Sequence, residues 1–250
     1  MRDDAAAAWA EYFWARARKE PFPRDLEIPV SWALPLAIVK LPRLTLGRTC
    51  DWLTSRGICS PSVGADRPLR ACLVVRAGRG FLLLEGSDPP DERRMSVAHE
   101  VAHFLLDYLR PRERARAVLG ARADSILDGE GRPTPAEQLS GVLRGVRQGT
   151  YMHLIQRTET GAVDRMAVVD AEDRADRLAL ELLAPRQAVR AQLTAQLPAG
   201  CAAGTAVQIA ESMLVRDFGL PQPAARRYAH LVVGLWLKPR SFREWLGVER

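Results

Sequence analysis

His99-Glu100-Val101-Ala102-His103 is the stretch that decides how this 250-residue chain folds around a site. Four residues advance an α-helix by about 400°, so the two imidazoles lie one turn apart on nearly the same face and can reach one ion together. Glu100 lies about 100° round the helix from His99, where its carboxylate is better placed to take a proton from a metal-bound water than to ligate. The spacing therefore predicts His99 and His103 as metal ligands and Glu100 as a general base.

The residues around this stretch predict a buried helix. Asp88-Pro89-Pro90-Asp91 offers a cap, prolines that the first turn tolerates, and acidic side chains for the helix dipole. Pro111 marks the predicted end. Two apolar stripes predict burial on most sides; they consist of Met95, Ala98, Ala102, Leu105 and Leu109, and of Val97, Val101, Phe104 and Tyr108. The alternative is that two histidines fall at this spacing by chance on an ordinary helix, and a third ligand counts against it.

A zinc peptidase keeps one coordination position for water and so needs three protein ligands. In one pattern the third ligand is a histidine ten positions after the first, but that position is Leu109. A second pattern places a glutamate on a later helix with a polar residue one turn on, and Glu172-Asp173-Arg174-Ala175-Asp176 fits it. Glu172 and Asp176 share a helical face, so Asp176 is placed to accept the spare N–H of a ligating histidine. The alternative for both residues is a solvated acidic first turn.

Two segments of the chain resemble the ImmA/IrrE family of zinc metallopeptidases. They are HEVAHFLLD at 99–107 and EDRADRLALELLAP at 172–185, and together with their surroundings the similarity spans about half of the chain. The second motif of the family reads approximately E-x-x-A-N-x-F-A-x-E-L-L-M-P. This chain matches it at Glu172, Ala175, Ala179, Glu181, Leu182, Leu183 and Pro185. It departs from the motif at Asp176, Leu178 and Ala184, where the family usually has Asn, Phe and Met.

The resemblance implies zinc ligation by His99, His103 and Glu172, and general-base catalysis by Glu100. It also implies an intracellular peptidase that acts on particular repressors. In a zinc peptidase the metal polarises water and the scissile carbonyl, while the glutamate accepts the proton and passes it to the leaving amine. Imidazole and carboxylate also bind other divalent ions, Mn²⁺ among them.

Two features depart from the family pattern. Asp107 stands where the family often has a histidine, and the two motifs are separated by a longer stretch than usual, which implies an insertion. With Asp107 and Asp176 present, the motifs are also similar to the thermolysin-type arrangement, HExxH with a downstream ExxxD, whose implied ligands are identical. We expect Asp107 and Asp176 to support the ligands without contacting the ion.

The expected fold class is α+β. The core is expected to be gluzincin-like, with a small antiparallel sheet packed on the active-site helix and on a second ligand helix, and with additional helices around it. We expect the peptidase domain at 1–196 with an inserted helical region near 111–150, and a helical C-terminal unit at 205–250 whose spacing is compatible with helix-turn-helix.

Periodicity and turn signals predict the individual elements. Helices are expected at Asp3–Lys19, Arg43–Arg56, on both sides of Asp128–Pro133, at Val207–Arg216 and at Gln222–Leu235. Strands are expected at Leu69–Val75, Gly80–Leu84, Tyr151–Arg157 and Val163–Val169. The first two strands form a predicted hairpin, which we expect at the sheet edge beside the metal helix, where it would pair with an extended substrate. A purely structural hairpin is the alternative.

Composition predicts a soluble globular protein, since 47% of the residues are hydrophobic and 26% are charged. The acidic start Met1–Asp4 shows no secretory signal, so a cytoplasmic location is expected. The most hydrophobic run, Val30–Leu46, is interrupted by two prolines and two basic residues, which excludes a membrane span there. The four cysteines form no C-x-x-C pair and are expected to be reduced thiols. The net charge of +6 is scattered, which favours a solvated surface over a nucleic-acid interface.

The leading hypothesis is a zinc-dependent endopeptidase whose protein substrate is a helix-turn-helix transcriptional repressor, as the resemblance implies, in a stress or mobile-element circuit. The alternative is a regulatory protein that keeps zinc without catalysis and acts through its C-terminal helices on DNA or on a repressor. Tyr151, His153 and His230 are candidates for stabilising the oxyanion, but no spacing brings them to the metal, and a core or surface position is the alternative for each.

Overall fold

The computed structural model describes residues 3–58, 65–131, 134, 149–156, 166–198 and 200–236. Within these ranges the chain is α+β, as expected. Four strands form one sheet, and most of the other elements are helices. It divides into two compact units. The first comprises Met1–Glu20 and Asp25–Leu182, and the second comprises Pro21–Arg24 and Leu183–Arg250.

Among the described residues, the first unit contains seven α-helices and four strands. The helices are α1 (Asp3–Trp14), α2 (Glu27–Ala33), α3 (Leu46–Thr54), α4 (Pro90–His103), α5 (Arg110–Leu119), α6 (Arg122–Leu127) and α7 (Met166–Leu183). The strands are β1 (Leu36–Leu41), β2 (Leu69–Arg76), β3 (Arg79–Glu85) and β4 (Tyr151–Gln156). The predicted first two helices are present but shorter, since α1 ends at Trp14 and α3 spans Leu46–Thr54.

The sheet is mixed, with strand order β1-β3-β2-β4. β2 pairs antiparallel with both β3 and β4, whereas β1 pairs parallel with β3. The expectation of a purely antiparallel sheet is therefore wrong at β1. A parallel neighbour needs a crossover connection, and the chain between Leu41 and Arg79, which contains α3 and β2, supplies one.

The predicted hairpin is formed by β2 and β3. Its two-residue turn has positive φ at both central positions, 48° at Ala77 and 76° at Gly78, which matches the right-handed twist of the flanking strands. Both strands lie in the interior of the sheet, so the expectation that the hairpin is the edge beside the metal helix is wrong. Among the described strands, β1 and β4 are the edges, because each has one partner.

The two faces of the sheet pack against different helices. One face carries a hydrophobic cluster made of residues from α3 and its flanks and from the strands, namely Leu44, Leu46, Leu53, Leu69, Cys72, Val74 and Leu83. Met152 and Leu154 of β4 pack against this cluster. Because side chains alternate along a strand, His153 between them faces the opposite side, where α4 contacts β2, β3 and β4. The alternation therefore directs His153 towards α4.

Helix α4 begins with Pro90 at its first position, and its N-cap residue is Pro89, which lies within the predicted start segment Asp88–Asp91 and has no side-chain cap. Residues 96–103 are all buried, as the two apolar stripes predict. The helix does not end at Pro111. It continues through a π-helical turn at Phe104–Leu109 into α5. Proline lacks an N–H and crowds the carbonyl four residues earlier, and the wider π turn immediately before it relieves this conflict.

Helix α7 carries the second motif and begins at Met166. The expected strand Val163–Val169 is therefore wrong over 166–169, and its first three residues lie outside the described part. Valines at 168 and 169 favour a strand locally, but the segment is continuous with the helical periodicity of the motif that follows. The other strand of that predicted pair is present as β4, Tyr151–Gln156.

The predicted insertion near 111–150 contains α5 and α6. Arg112 of α5 forms ion pairs through Nη2 with Oδ1 of Asp124 at 3.2 Å and with Oδ1 of Asp128 at 2.8 Å. Of the helix expected after Pro133, residues 135–148 lie outside the described part of the chain. Cys59 also lies outside it, and of the described cysteines Cys72 is buried whereas Cys50 and Cys201 are partly buried. No helix in the described ranges combines the length and apolar character needed to cross a membrane.

The second unit is helical in the residues that the structure describes. Its helices are α8 (Arg186–Gln196), α9 (Ala203–Arg216) and α10 (Gln222–Trp236). The connection between α9 and α10 contains Gly219 with φ 64°, a left-handed conformation that glycine adopts without strain. Phe22 packs on Phe218 with ring centroids 4.6 Å apart, and the Tyr228 hydroxyl donates to the Ala184 carbonyl at 3.0 Å.

Candidate metal centre

Helix α4 presents two buried histidines to one point. His99 is 8% exposed and His103 is 1% exposed. Their ring centroids are 4.7 Å apart and their Nε2 atoms are 3.0 Å apart. This is the arrangement that a spacing of four residues on a helix produces when both rings turn to the same side.

Helix α7 brings Glu172 to the same point. Its Oε2 atom lies 3.1 Å from Nε2 of His99 and 3.5 Å from Nε2 of His103. The structure therefore assembles the three side chains that sequence reasoning selected as ligands. The acidic first turn of an ordinary solvated helix would not place Glu172 against two buried imidazoles.

The two aspartates expected to support the ligands contact the outer nitrogen of each ring. Oδ1 of Asp176 lies 2.9 Å from Nδ1 of His99, and Oδ2 of Asp107 lies 2.6 Å from Nδ1 of His103. A carboxylate only accepts hydrogen bonds, so each Nδ1 carries the hydrogen and donates it. In the neutral imidazole this leaves Nε2 as the lone-pair atom, which is the atom that points at Glu172. Carboxylate-oriented imidazoles of this kind are the usual support of protein metal ligands.

The spacing of the donor atoms fits a metal ion. Two imidazole nitrogens and one carboxylate oxygen lie 3.0–3.5 Å from one another. Ligands bound at zinc distances in a tetrahedron are about 3.3 Å apart. The group formed by His99, His103, His153 and Glu172 could hold a metal ion, since the donor atoms all lie within 4.8 Å of one another.

His153 is the member of this group that sequence reasoning did not place at the metal. Its Nε2 lies 3.0 Å from Oε1 of Glu172, and its Nδ1 lies 3.2 and 3.1 Å from the two oxygens of Glu100. Its ring stacks on that of His103 with centroids 3.6 Å apart. In the sequence, His153 alternates with Met152 and Leu154 in a predicted strand, which indicates that its side chain points to the other face of the sheet. The alternation does not indicate which strand pairs with this one, so it does not predict a position at the metal.

The other two candidates for oxyanion stabilisation are Tyr151 and His230. Tyr151 is a buried residue of β4, 6.0 Å from Tyr108 by ring centroids. His230 is an exposed residue of α10, in the second unit. Neither belongs to the group of possible metal donors among the described residues.

Glu100 is fully buried, 0% exposed. It lies on α4 beside the donor atoms, and the described contact of its carboxylate is with His153. Burial raises the pKa of the Cys72 thiol well above its ordinary value, and the negative charge of Glu100 adds to this, so Cys72 stays a neutral thiol behind the site.

The carboxylates around His99 and His153 favour the protonated, positively charged form of both imidazoles. Burial lowers the pKa of His99, but its hydrogen bonds to Asp176 and Glu172 outweigh burial and raise the pKa to about 9. Burial also lowers the pKa of His153, but the charge of Glu100 and hydrogen bonds to Glu100 and Glu172 raise it to about 10. For Glu172, burial raises the pKa, and hydrogen bonds from the three histidines lower it far more, so this carboxylate stays ionised. Protons and a metal ion therefore compete for the same nitrogens.

Comparison of the chain with protein-family models, with curated proteins and with solved structures finds no match.

Proposed function

We propose that the protein is a zinc-dependent endopeptidase. The observation that carries this proposal is the convergence of His99, His103 and Glu172 on one point, next to a buried glutamate, Glu100, on the same helix as the two histidines. Three protein donors leave a coordination position for water, which is the composition of catalytic zinc sites. The resemblance of both motif segments to ImmA/IrrE metallopeptidases supports the same reaction.

The core is proposed to be gluzincin-like. Helix α4 supplies two histidines, the later helix α7 supplies the carboxylate, and a sheet lies against α4. A bound zinc ion would lower the pKa of a coordinated water and polarise the scissile carbonyl. Mn²⁺ suits the same donors and is an alternative ion.

Glu100 is proposed as the general base. Its carboxylate accepts the proton of the attacking water and then passes it to the leaving amine. Its burial strengthens this role, since a carboxylate away from bulk water has fewer competing hydrogen-bond donors. Asp176 and Asp107 hold His99 and His103 by their Nδ1–H groups, which fixes the rotation of both rings.

The substrate is proposed to be a helix-turn-helix repressor, on the strength of the resemblance alone. The cleaved segment must be extended to enter the site, and β4 is the edge strand nearest to it, since His153 on β4 contacts both Glu100 and Glu172. An extended peptide adds to such an edge by main-chain hydrogen bonds. Cleavage of a repressor encoded by a neighbouring gene, tested with zinc and with chelator, addresses the substrate.

The general-base role is tested with Glu100→Gln in protein reconstituted with zinc. The substrate probe is a library of quenched-fluorescent peptides, or casein if no peptide is cut. We expect the variant to bind one zinc per chain, as the wild type does, and to lose roughly 10²- to 10⁴-fold in rate. Glu130→Gln, the same change at an exposed glutamate, is the matched control and should retain full activity. Full activity of Glu100→Gln would overturn the assignment.

A second candidate function is a non-catalytic zinc protein that regulates by binding DNA or a repressor. The observation that favours it is the fourth donor, His153, because a zinc site closed by four protein ligands is typical of structural zinc. A shift of operator DNA by the purified protein that Glu100→Gln leaves unchanged, together with no peptide hydrolysis by the wild type, would favour this function.

A further inference from the structure

His153 links the two carboxylates that matter most in the proposed site. Its Nε2 faces Oε1 of Glu172 at 3.0 Å, and its Nδ1 faces both oxygens of Glu100 at 3.1 and 3.2 Å. Each ring nitrogen therefore lies within hydrogen-bond distance of a carboxylate oxygen, to which its N–H can donate. One side chain from the edge strand β4 therefore connects the ligand on α7 with the general base on α4.

The two oxygens of Glu172 have different partners. Oε2 faces the nitrogens of His99 and His103, at 3.1 and 3.5 Å. Oε1 faces His153 instead. A carboxylate whose second oxygen accepts a hydrogen bond from a fixed donor is held to ligation through its first oxygen. Without that donor, a glutamate is able to bind a metal ion through both oxygens and so occupy the position that water needs.

The orientation of the His153 ring argues against a role as fourth ligand. The ring stacks on His103, with centroids 3.6 Å apart and planes at 26°. The in-plane lone pairs of two stacked imidazoles run side by side and do not converge on a point between tetrahedrally arranged donors.

The geometry points to His153 as a positioning residue that keeps Glu172 a one-oxygen ligand and keeps the Glu100 carboxylate beside the open coordination position. This inference rests on the proposed function, since it concerns the same metal site. It explains why β4, a strand outside both motifs, contributes a histidine there. It also predicts that loss of the contact with Glu172 changes how the metal ion is coordinated, and that loss of the contact with Glu100 changes the position of the general base.

Two variants separate the contacts. The amide nitrogen of Gln corresponds in position to Nε2 of histidine and that of Asn to Nδ1, so His153→Gln keeps a donor for Glu172 and His153→Asn keeps one for Glu100. His153→Ala removes both donors. His230→Ala, at an exposed histidine of α10, is the matched control. Far-UV circular dichroism confirms that each variant is folded before it is compared.

The first measurement counts the imidazoles bound to zinc by X-ray absorption at the zinc edge, and the second records the visible spectrum of the cobalt-substituted protein. We expect two imidazoles in the wild type and an intense four-coordinate cobalt spectrum. His153→Ala and His153→Asn should weaken the cobalt bands as Glu172 becomes bidentate and the ion five-coordinate, whereas His153→Gln should keep the wild-type spectrum. With a cleavable peptide probe, His153→Ala should lose about 10- to 100-fold in kcat.

The outcomes distinguish this inference from the function on which it rests. Three imidazoles on zinc in the wild type make His153 a ligand and overturn the inference alone. A cobalt spectrum that stays the same in His153→Ala also overturns it, whatever the activity. A wild-type protein that binds no divalent ion overturns both. A wild type that binds zinc through two imidazoles and hydrolyses nothing contradicts the peptidase function, while the spectra of the variants still decide whether His153 holds Glu172.

Discussion

Asp107 accepts a hydrogen bond from Nδ1 of His103 at 2.6 Å, one turn further along the same helix, and Arg174 of α7 reaches its other oxygen at 3.5 Å. Asp107 lies in the π-helical turn that follows α4, a kind of turn that is rare and is found often at functional sites. The contact joins the two helices that carry the motifs. Asp107 therefore orients the ring of His103 and also connects α4 with α7, the two helices that carry the proposed ligands.

Replacing Asp107 by Ala is expected to weaken zinc binding by about 10- to 100-fold, because His103 loses the acceptor that fixes its ring and raises its basicity. Asp107→Asn should weaken it less, since the amide oxygen still accepts the hydrogen bond but carries no charge. Affinity is measured by competition with a chromophoric chelator. Asp173→Asn, at an exposed residue next to Glu172, is the control and should bind as the wild type does. Unchanged affinity in Asp107→Ala would contradict the supporting role.

Metal removal is expected to destabilise the first unit. An ion that binds the folded state alone adds about 2.7 kcal/mol of stability at a free concentration of 100 times its Kd. In a unit of this size that corresponds to a rise in Tm of roughly 5–10 °C. Thermal unfolding with added zinc and then with excess chelator measures the shift.

Glu172→Gln should abolish most of the zinc-dependent shift, because the amide is a much weaker ligand than the carboxylate. Glu130→Gln should keep the full shift. A wild-type Tm that is the same with zinc and with chelator would show that these donors do not form a metal site in solution.

The sequence predicts the positions of the proposed ligands to the extent that these positions depend on local structure. His99, Glu100 and His103 depend only on the rotation of one helix. Glu172 lies on another helix and was reached through the second motif, which implies a partner of a defined type. His153 could not be reached in this way. Its position depends on the pairing of β4 with β2, where it lies opposite Leu73, and nothing in the local pattern of β4 selects that neighbour.

The errors in the fold have physical causes of the same kind. Proline normally interrupts the hydrogen bonds of a helix, so the sequence predicts a helix end at Pro111, but a π-helical turn before it lets the helix continue. The turn residues predict the hairpin of β2 and β3, which the structure contains, but its place inside the sheet depends on pairing with β1 and β4. Local signals predict elements better than they predict neighbours.

Glu85 is expected to make the stability of the first unit depend on acid pH. Its buried carboxylate accepts hydrogen bonds from the backbone N–H of Arg43, Leu44 and Ser87 at 3.0, 2.6 and 3.0 Å, and from the Ser87 hydroxyl at 2.6 Å. Burial raises the pKa of Glu85, but these hydrogen bonds lower it by more, so that the pKa is about 2. A pKa below the unfolded value means that the folded state is stabilised by the ionised form.

The contribution of Glu85 is fully present above its unfolded pKa of about 4.5 and is lost as the pH falls towards 2. It amounts to roughly 2–3 kcal/mol. Urea unfolding at pH 6 and at pH 3.5 should show a smaller loss of stability in Glu85→Gln than in the wild type, because the variant has no carboxylate to protonate there. At pH 6 the variant should be less stable by about 2 kcal/mol. Equal pH dependence of the two proteins would contradict this role.

Gly80 is expected to tolerate no side chain, because it lies where β1 and β2 both pass close to β3. A Cβ at this position would lie 2.7 Å from Cδ2 of Leu36 and 2.8 Å from the carbonyl oxygen of Val74, which is backbone and has little room to shift. Gly80→Ala should therefore destabilise the first unit by about 1–3 kcal/mol through overpacking. Gly86→Ala, directly after the same strand, is the matched control, because a Cβ there would lie 3.7 Å from the nearest atom, an ordinary contact.

Urea unfolding followed by circular dichroism compares the two variants. Equal stability would show that β1 and β2 can shift away from β3 at Gly80 without loss of stability. A loss confined to Gly80→Ala, accompanied by weaker zinc binding, would show that the packing of the sheet positions α4 and its histidines.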